Sequence, residues 1–85
     1  MTINENGDPA VVRDILHAVN KLIPVHGDYT HLEGNSHAHI KASLFGSSCT
    51  ILVENGHLQL GTWQGIYFCE FDGPRNRKVF LKALR

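Results

Sequence analysis

The chain has 85 residues, enough for one domain, 1–85, and for only a thin core unless oligomer contacts or a bound metal add to it. Eight Lys and Arg balance eight Asp and Glu, which leaves no electrostatic footprint for nucleic acid or an anionic membrane. No apolar run approaches the length of a membrane span, and the opening residues carry neither the basic cap nor the apolar stretch of a leader. A cytoplasmic protein is expected, with Cys49 and Cys69 as reduced thiols inside apolar runs.

Asp8-Pro9 is a helix start: Asp8 accepts from free first-turn amides, and Pro9 lacks an N–H that would be orphaned there anyway. Val12, Ile15, Leu16, Val19, Leu22 and Ile23 then recur at three- and four-residue spacing, the stripe of an amphipathic helix that Pro24 ends. Val25 to Ser36 is polar and Gly-containing and reads as a loop. Asn35 or Ser36 caps a second, short helix through Leu44, closed by Gly46. After Gly46 the period changes to two. Cys49, Ile51 and Val53 form one strand face, Asn55-Gly56 is the preferred pair for a type I′ hairpin, and Leu58 and Leu60 lie on the returning strand. Thr62 to Asp72 is a third strand with Trp63 on its core face. After the Gly73-Pro74 turn, Arg77 to Leu84 is a fourth strand with Val79, Leu81 and Ala83 inward. The expected fold is α+β, two helices packed on an antiparallel β-sheet meander.

The densest polar cluster lies at the mouth of the second helix: His31, Glu33, Asn35, His37, His39 and Lys41. A helix mouth suits an anion, because its free amides and positive dipole end point outward, and Lys41 adds a charge-assisted contact. The plainer alternative is a capped helix with surface histidines. His37 and His39 are set against a metal pair, since side chains two apart on a helix diverge. A site shared by His31, His39 and a carboxylate is the remaining metal option. Glu70 and Asp72 alternate onto one strand face, near enough to influence each other or to hold a divalent ion. Arg75, beyond the turn, is either a fork for phosphate oxygens or a solvated turn residue.

Together these segments resemble the YjbQ-like family. Thr2-Ile-Asn-Glu-Asn6 with Asp8-Pro9 is similar to its interior motif. The run from His31 through Glu33-Gly-Asn35 and Ala38-His-Ile-Lys-Ala-Ser-Leu44 is similar to its central signature. Gly61-Thr-Trp-Gln-Gly-Ile66 and Cys69-Glu-Phe-Asp-Gly-Pro-Arg75 are similar to its two later motifs. The resemblance implies a two-layer α+β fold assembling as a homo-oligomer, a trimer, with polar clefts near subunit contacts. It implies weak thiamine-phosphate synthase activity, a transferase reaction joining a pyrimidine diphosphate to a thiazole phosphate with release of pyrophosphate. On that reading His39, His31 and Glu70 are catalytic. Asn35, Lys41, Gln64 and Arg75 hold the phosphorylated small molecule, and His31, His39 and Asp72 hold a divalent metal, magnesium or zinc. The resemblance further implies strands and a His-Thr-Thr stretch ahead of Thr2, so part of the sheet and one site histidine are expected to be absent from this chain. A non-catalytic ligand- or metal-binding oligomer and an inactive structural remnant are the alternatives.

Overall fold

The computed structural model describes residues 1–85. Its first element is a strand, β1 (Thr2–Glu5), too short for any local pattern to announce. The N-cap expected at Asp8 forms: the backbone there is extended (φ −117°, ψ 116°) and Oδ1 accepts from the Ala10 amide at 2.8 Å. Helix α1 (Pro9–Leu22) follows and ends with the Ile23 amide donating to the Val19 carbonyl at 2.8 Å. Its apolar stripe turns inward only in part. Val12, Ile15 and Val19 are half-buried and Ile23 is buried, while Leu16 and Leu22 remain exposed. Replacing the cap, Asp8→Ala, is expected to lower the unfolding free energy by about 1 kcal/mol, read from the urea midpoint of helical circular dichroism.

Helix α2 (Ser36–Phe45) begins after Asn35 and closes on Gly46, whose φ is 78° and whose amide donates to Ala42. The backbone carbonyl of Asn35, not its side chain, receives the first amides, from Ala38 at 3.0 Å and His39 at 3.4 Å. This releases the Asn35 amide group for a long-range contact described below.

The hairpin forms at Asn55-Gly56, both left-handed (φ 52° and 75°), the combination a type I′ turn demands. Its strands are short, β2 (Val53–Glu54) and β3 (His57–Leu58), with one further bond from the Gln59 amide to the Leu52 carbonyl at 2.8 Å. Of the expected third strand, only β4 (Gln64–Tyr67) is a strand, and it does not join the hairpin. It pairs antiparallel with β1, Thr2 opposite Tyr67 and Glu5 opposite Gln64. The Tyr67 hydroxyl donates to the Glu5 carbonyl, and the Asn6 amide donates to the Trp63 carbonyl at 2.6 Å. The architecture is thus α+β, two helices with two small antiparallel sheets.

Two sequence expectations are corrected. Arg77 to Leu84 forms no strand, because no strand lies beside it to pair with. Trp63 is not core. It is 66 % exposed, with its ring laid over Gly7, where a Cβ would stand 2.7 Å from Cε3. Only a residue without a side chain tolerates that approach.

Only Ile23, Ala38 and Lys41 are buried. Between α2 and the run following β4, the rings of Phe45 and Phe71 meet at 5.2 Å between centroids. That contact holds residues 68–72 against the helix and so sets the walls of the site.

Candidate ligand-binding cleft

The start of α2 faces the run after β4 across a cleft of about 460 Å³. Asn35 and His39 line one wall; Glu70, Asp72, Arg75 and Arg77 line the other. Asn35 Nδ2 donates to Asp72 Oδ2 at 2.8 Å, the single direct bond between the walls' polar side chains. Asp72 in turn accepts from Arg75 Nη2 at 3.0 Å. The orientation of the Asn35 amide follows from its partner, since turning its oxygen toward an ionised carboxylate would set two acceptors face to face. Its Oδ1 is left buried and unpaired.

The two arginines differ in what they leave free. Arg77 grips Glu70 with two bonds, Nε at 2.6 Å and Nη2 at 3.1 Å. Those bonds, and the Asp72 amide donating to Glu70 Oε2 at 3.0 Å, pull the Glu70 carboxyl from 4.5 down to about 2. The ionised form of Glu70 is thereby favoured. Arg75 makes a single-nitrogen contact, with its side chain 53 % exposed, so much of its fork remains open to the cleft.

His31 stands edge-on to His39, 5.3 Å between ring centroids, and its Nε2 is 4.0 Å from Glu33 Oε2. The sequence grouping of His31, His39 and Asp72 as metal ligands does not close into a site: no three His, Cys, Asp or Glu side chains in this chain are placed to hold an ion together.

Two further residues lie elsewhere. Gln64 is a strand residue whose Oε1 accepts from the Gly61 amide at 2.7 Å, outside the cleft. Lys41 turns to the opposite side of α2 and is 1 % exposed. Its Nζ lies 2.7 Å from Asn20 Oδ1 on α1 and 3.0 Å from His37 Nδ1, over the Phe71 ring at 5.9 Å. No carboxylate pairs with it, and burial lowers its pKa. His37 is lowered too, by burial first and then by the Lys41 charge.

The sequence held a signal for this. His39 and Lys41 are two residues apart on a helix, roughly 200° around its axis, so one cleft cannot hold both. His37 and Lys41 are four apart and share a face. Arg77 had no such signal, because its bond to Glu70 crosses an irregular turn.

The family described as UPF0047 protein YjbQ-like matches residues 1–85. The UPF0047 protein MJ1081 of Methanocaldococcus jannaschii is 56 % identical over 84 residues, covering 99 % of this chain and 61 % of that protein. YugU of Bacillus subtilis is 53 % identical over 85 residues, covering 99 % of this chain and 64 % of its own length. A crystal structure of a YjbQ/UPF0047 family protein from Clostridium acetobutylicum superposes with a TM-score of 0.85 at 72 % identity, over 87 % of this chain and 57 % of that one. A conserved hypothetical protein of Thermus thermophilus gives 0.82 at 48 % identity, over 87 % of this chain and 60 % of that one. This chain thus spans a little under two thirds of those relatives' lengths.

Proposed function

Because this chain belongs to the UPF0047 YjbQ-like family, we propose that its cleft binds a phosphorylated small molecule, with Arg75 on the phosphate oxygens and His39 beside the reacting end. The observation that carries this is the contrast between the arginines: Arg77 is committed to Glu70, and Arg75 is oriented by Asp72 but largely open. Asn35 serves by holding Asp72, and so acts on the ligand through Arg75.

The reaction assigned is weak thiamine-phosphate synthesis in a cytoplasmic homo-oligomer, a trimer on the resemblance. The ring nitrogen of a thiazole phosphate attacks the methylene of a pyrimidine diphosphate. The carbon–oxygen bond breaks, and pyrophosphate leaves with the bonding electrons. Positive charge fixed at the departing oxygens favours that step, and Arg75 supplies it. His39 is placed to exchange protons at the cleft wall. Neither Lys41 nor Gln64 takes part, since both lie outside the cleft. A second reading, ligand binding without catalysis, draws on the state of Glu70, whose ionised carboxyl leaves the cleft short of one acid or base.

Calorimetry with pyrophosphate tests the binding reading. Arg75→Ala is expected to weaken affinity by about 10- to 100-fold, the loss of a charged hydrogen-bonded contact. Unchanged affinity refutes the assignment. Formation of thiamine phosphate by the chain, compared with His39→Ala, separates catalysis from binding: equal background rates leave the binding reading alone.

A further inference from the structure

Arg77 borders the same cleft as Arg75. The two are neighbours but one along the chain, so their Cα atoms lie at most about 7 Å apart. Each is held by a carboxylate of the preceding run, Arg75 by Asp72 and Arg77 by Glu70. The two pairs are joined, because the Asp72 amide donates to the same Glu70 oxygen, Oε2, that accepts from Arg77 Nη2. Arg75 also favours the Glu70 anion, and Asp72 the Arg77 cation, so the four groups form one electrostatic cluster.

That cluster holds no surplus of positive charge. Glu33, Glu70 and Asp72 border the cleft with Arg75 and Arg77, three carboxylates against two guanidiniums. One phosphoryl group can settle on the open part of the Arg75 fork. A second one beside it meets the Glu70 carboxylate, and like charges in contact repel. A diphosphate therefore fits only where a carboxylate gives way, and the two nearest the arginines differ in how they are held. Asp72 is fixed from both walls, by Asn35 at 2.8 Å and by Arg75 at 3.0 Å. Glu70 is one methylene longer, and apart from Arg77 it is bonded only by the Asp72 amide. Glu70 also borders a second cavity, of about 430 Å³, together with His37 and Lys41. A carboxylate released from Arg77 thus has a place to turn to, in a cavity that already holds a cation.

We propose that Arg77 is the second phosphate-binding residue of this cleft and is reached by exchange: one phosphoryl group of a diphosphate rests on Arg75 while the other displaces Glu70 from Arg77. The exchange replaces one anion by another on the same fork, and a phosphoryl group suits that fork at least as well as a carboxylate does. Nη1 of Arg77 takes no part in the grip on Glu70 and is free to make the first contact. Water reaches the Glu70–Arg77 pair, so breaking it costs little. Glu70 thereby separates ligands by phosphoryl number: a monophosphate leaves it in place and a diphosphate moves it. This rests on the reading that Arg75 takes phosphate, and it adds the residue that selects for two phosphoryl groups.

The test is calorimetry of the full chain with inorganic phosphate and with pyrophosphate, joined to NMR of the Arg77 Nε–H in the same titrations. Pyrophosphate is expected to bind about tenfold more tightly than phosphate, the gain of one charged contact. It is expected to shift the Arg77 Nε–H signal, which phosphate leaves in place. Replacing the pair together, Glu70→Gln with Arg77→Gln, keeps the net charge and is expected to bring the two affinities together. Glu70→Gln alone is expected to widen the preference for pyrophosphate. A pair variant that keeps the parent's preference, or an Arg77 signal that stays fixed as pyrophosphate saturates the unaltered chain, overturns the exchange and leaves the role of Arg75 standing. A parent chain that binds neither anion overturns both.

Discussion

Lys41→Ala is expected to destabilise the fold by about 2–4 kcal/mol, while Lys41→Met costs less than about 1 kcal/mol. Lys41 is the most buried side chain in the molecule, and its Nζ lies over the Phe71 ring and reaches Asn20 on α1. Truncation opens a void where α1, α2 and Phe71 meet, and it leaves Asn20 Oδ1 and His37 Nδ1 without a donor. Methionine keeps most of the volume and removes an ammonium that no carboxylate offsets. Urea unfolding followed by circular dichroism separates the cases; equal losses in the two variants would show that charge, not packing, is what the site needs.

The same lysine fixes the sign of an alkaline effect. Its folded pKa lies below the 10.5 of the free side chain, so between those values the unfolded chain binds the extra proton. Stability therefore rises with pH across that window. His37, lowered from 6.5, acts in the same direction at lower pH, its neutral form being favoured by folding. The stability it supports above 6.5 falls away as pH drops through its folded value. Asp72 nearby opposes this shift, and Lys41 and His26 reinforce it. Lys41→Met is expected to flatten the alkaline rise.

Glu70→Gln is the second large effect, and it acts on both stability and binding. The Glu70 carboxyl titrates at about 2 in the fold against 4.5 when free. Its contribution is complete above 4.5 and is lost as pH falls from there through 2. Unfolding midpoints of the parent chain should fall steeply over that window, and those of Glu70→Gln should fall less. At neutral pH the substitution also frees Arg77 from its two-bond grip. A second guanidinium then faces the cleft, and pyrophosphate affinity is expected to improve about three- to tenfold, a gain moderated by solvent screening. Weaker binding in this variant would mean that Glu70 holds the cleft in shape rather than merely occupying Arg77.

What could be read in the sequence was whatever a short window contains. Asp8-Pro9 states a helix start, Gly46 its neighbour's end, and Asn55-Gly56 a turn, each through contacts within four residues. The polar helix mouth and the acidic run near residue 70 were each legible by themselves, but the Asn35–Asp72 bond that joins them spans 37 residues and stood in neither window. The partner of β4 was not. Four residues at the start of the chain carry too little pattern to mark a strand, and the pairing spans 62 residues, as the Tyr67–Glu5 contact does. The alternation of Val79, Leu81 and Ala83 is real, yet alternation describes a surface prepared for a neighbour and cannot say that one is present. Trp63 misled for the same reason: a large aromatic in an apolar run marks buriable surface, and here the ring lies over Gly7 and stays largely exposed.

The β1–β4 pairing is a clasp between the first and last strands of the chain. Bringing Thr2 to Tyr67 gives up the freedom of nearly the whole intervening chain, whereas the helices and the hairpin assemble from neighbours. Fraying of this clasp releases Asn6, Gly7 and Trp63 together and loosens the stem from which Glu70, Asp72 and Arg75 project. Met1 and Phe68, the neighbours of the Thr2–Tyr67 pair, both line the cleft, so the clasp forms one end of the cleft's frame.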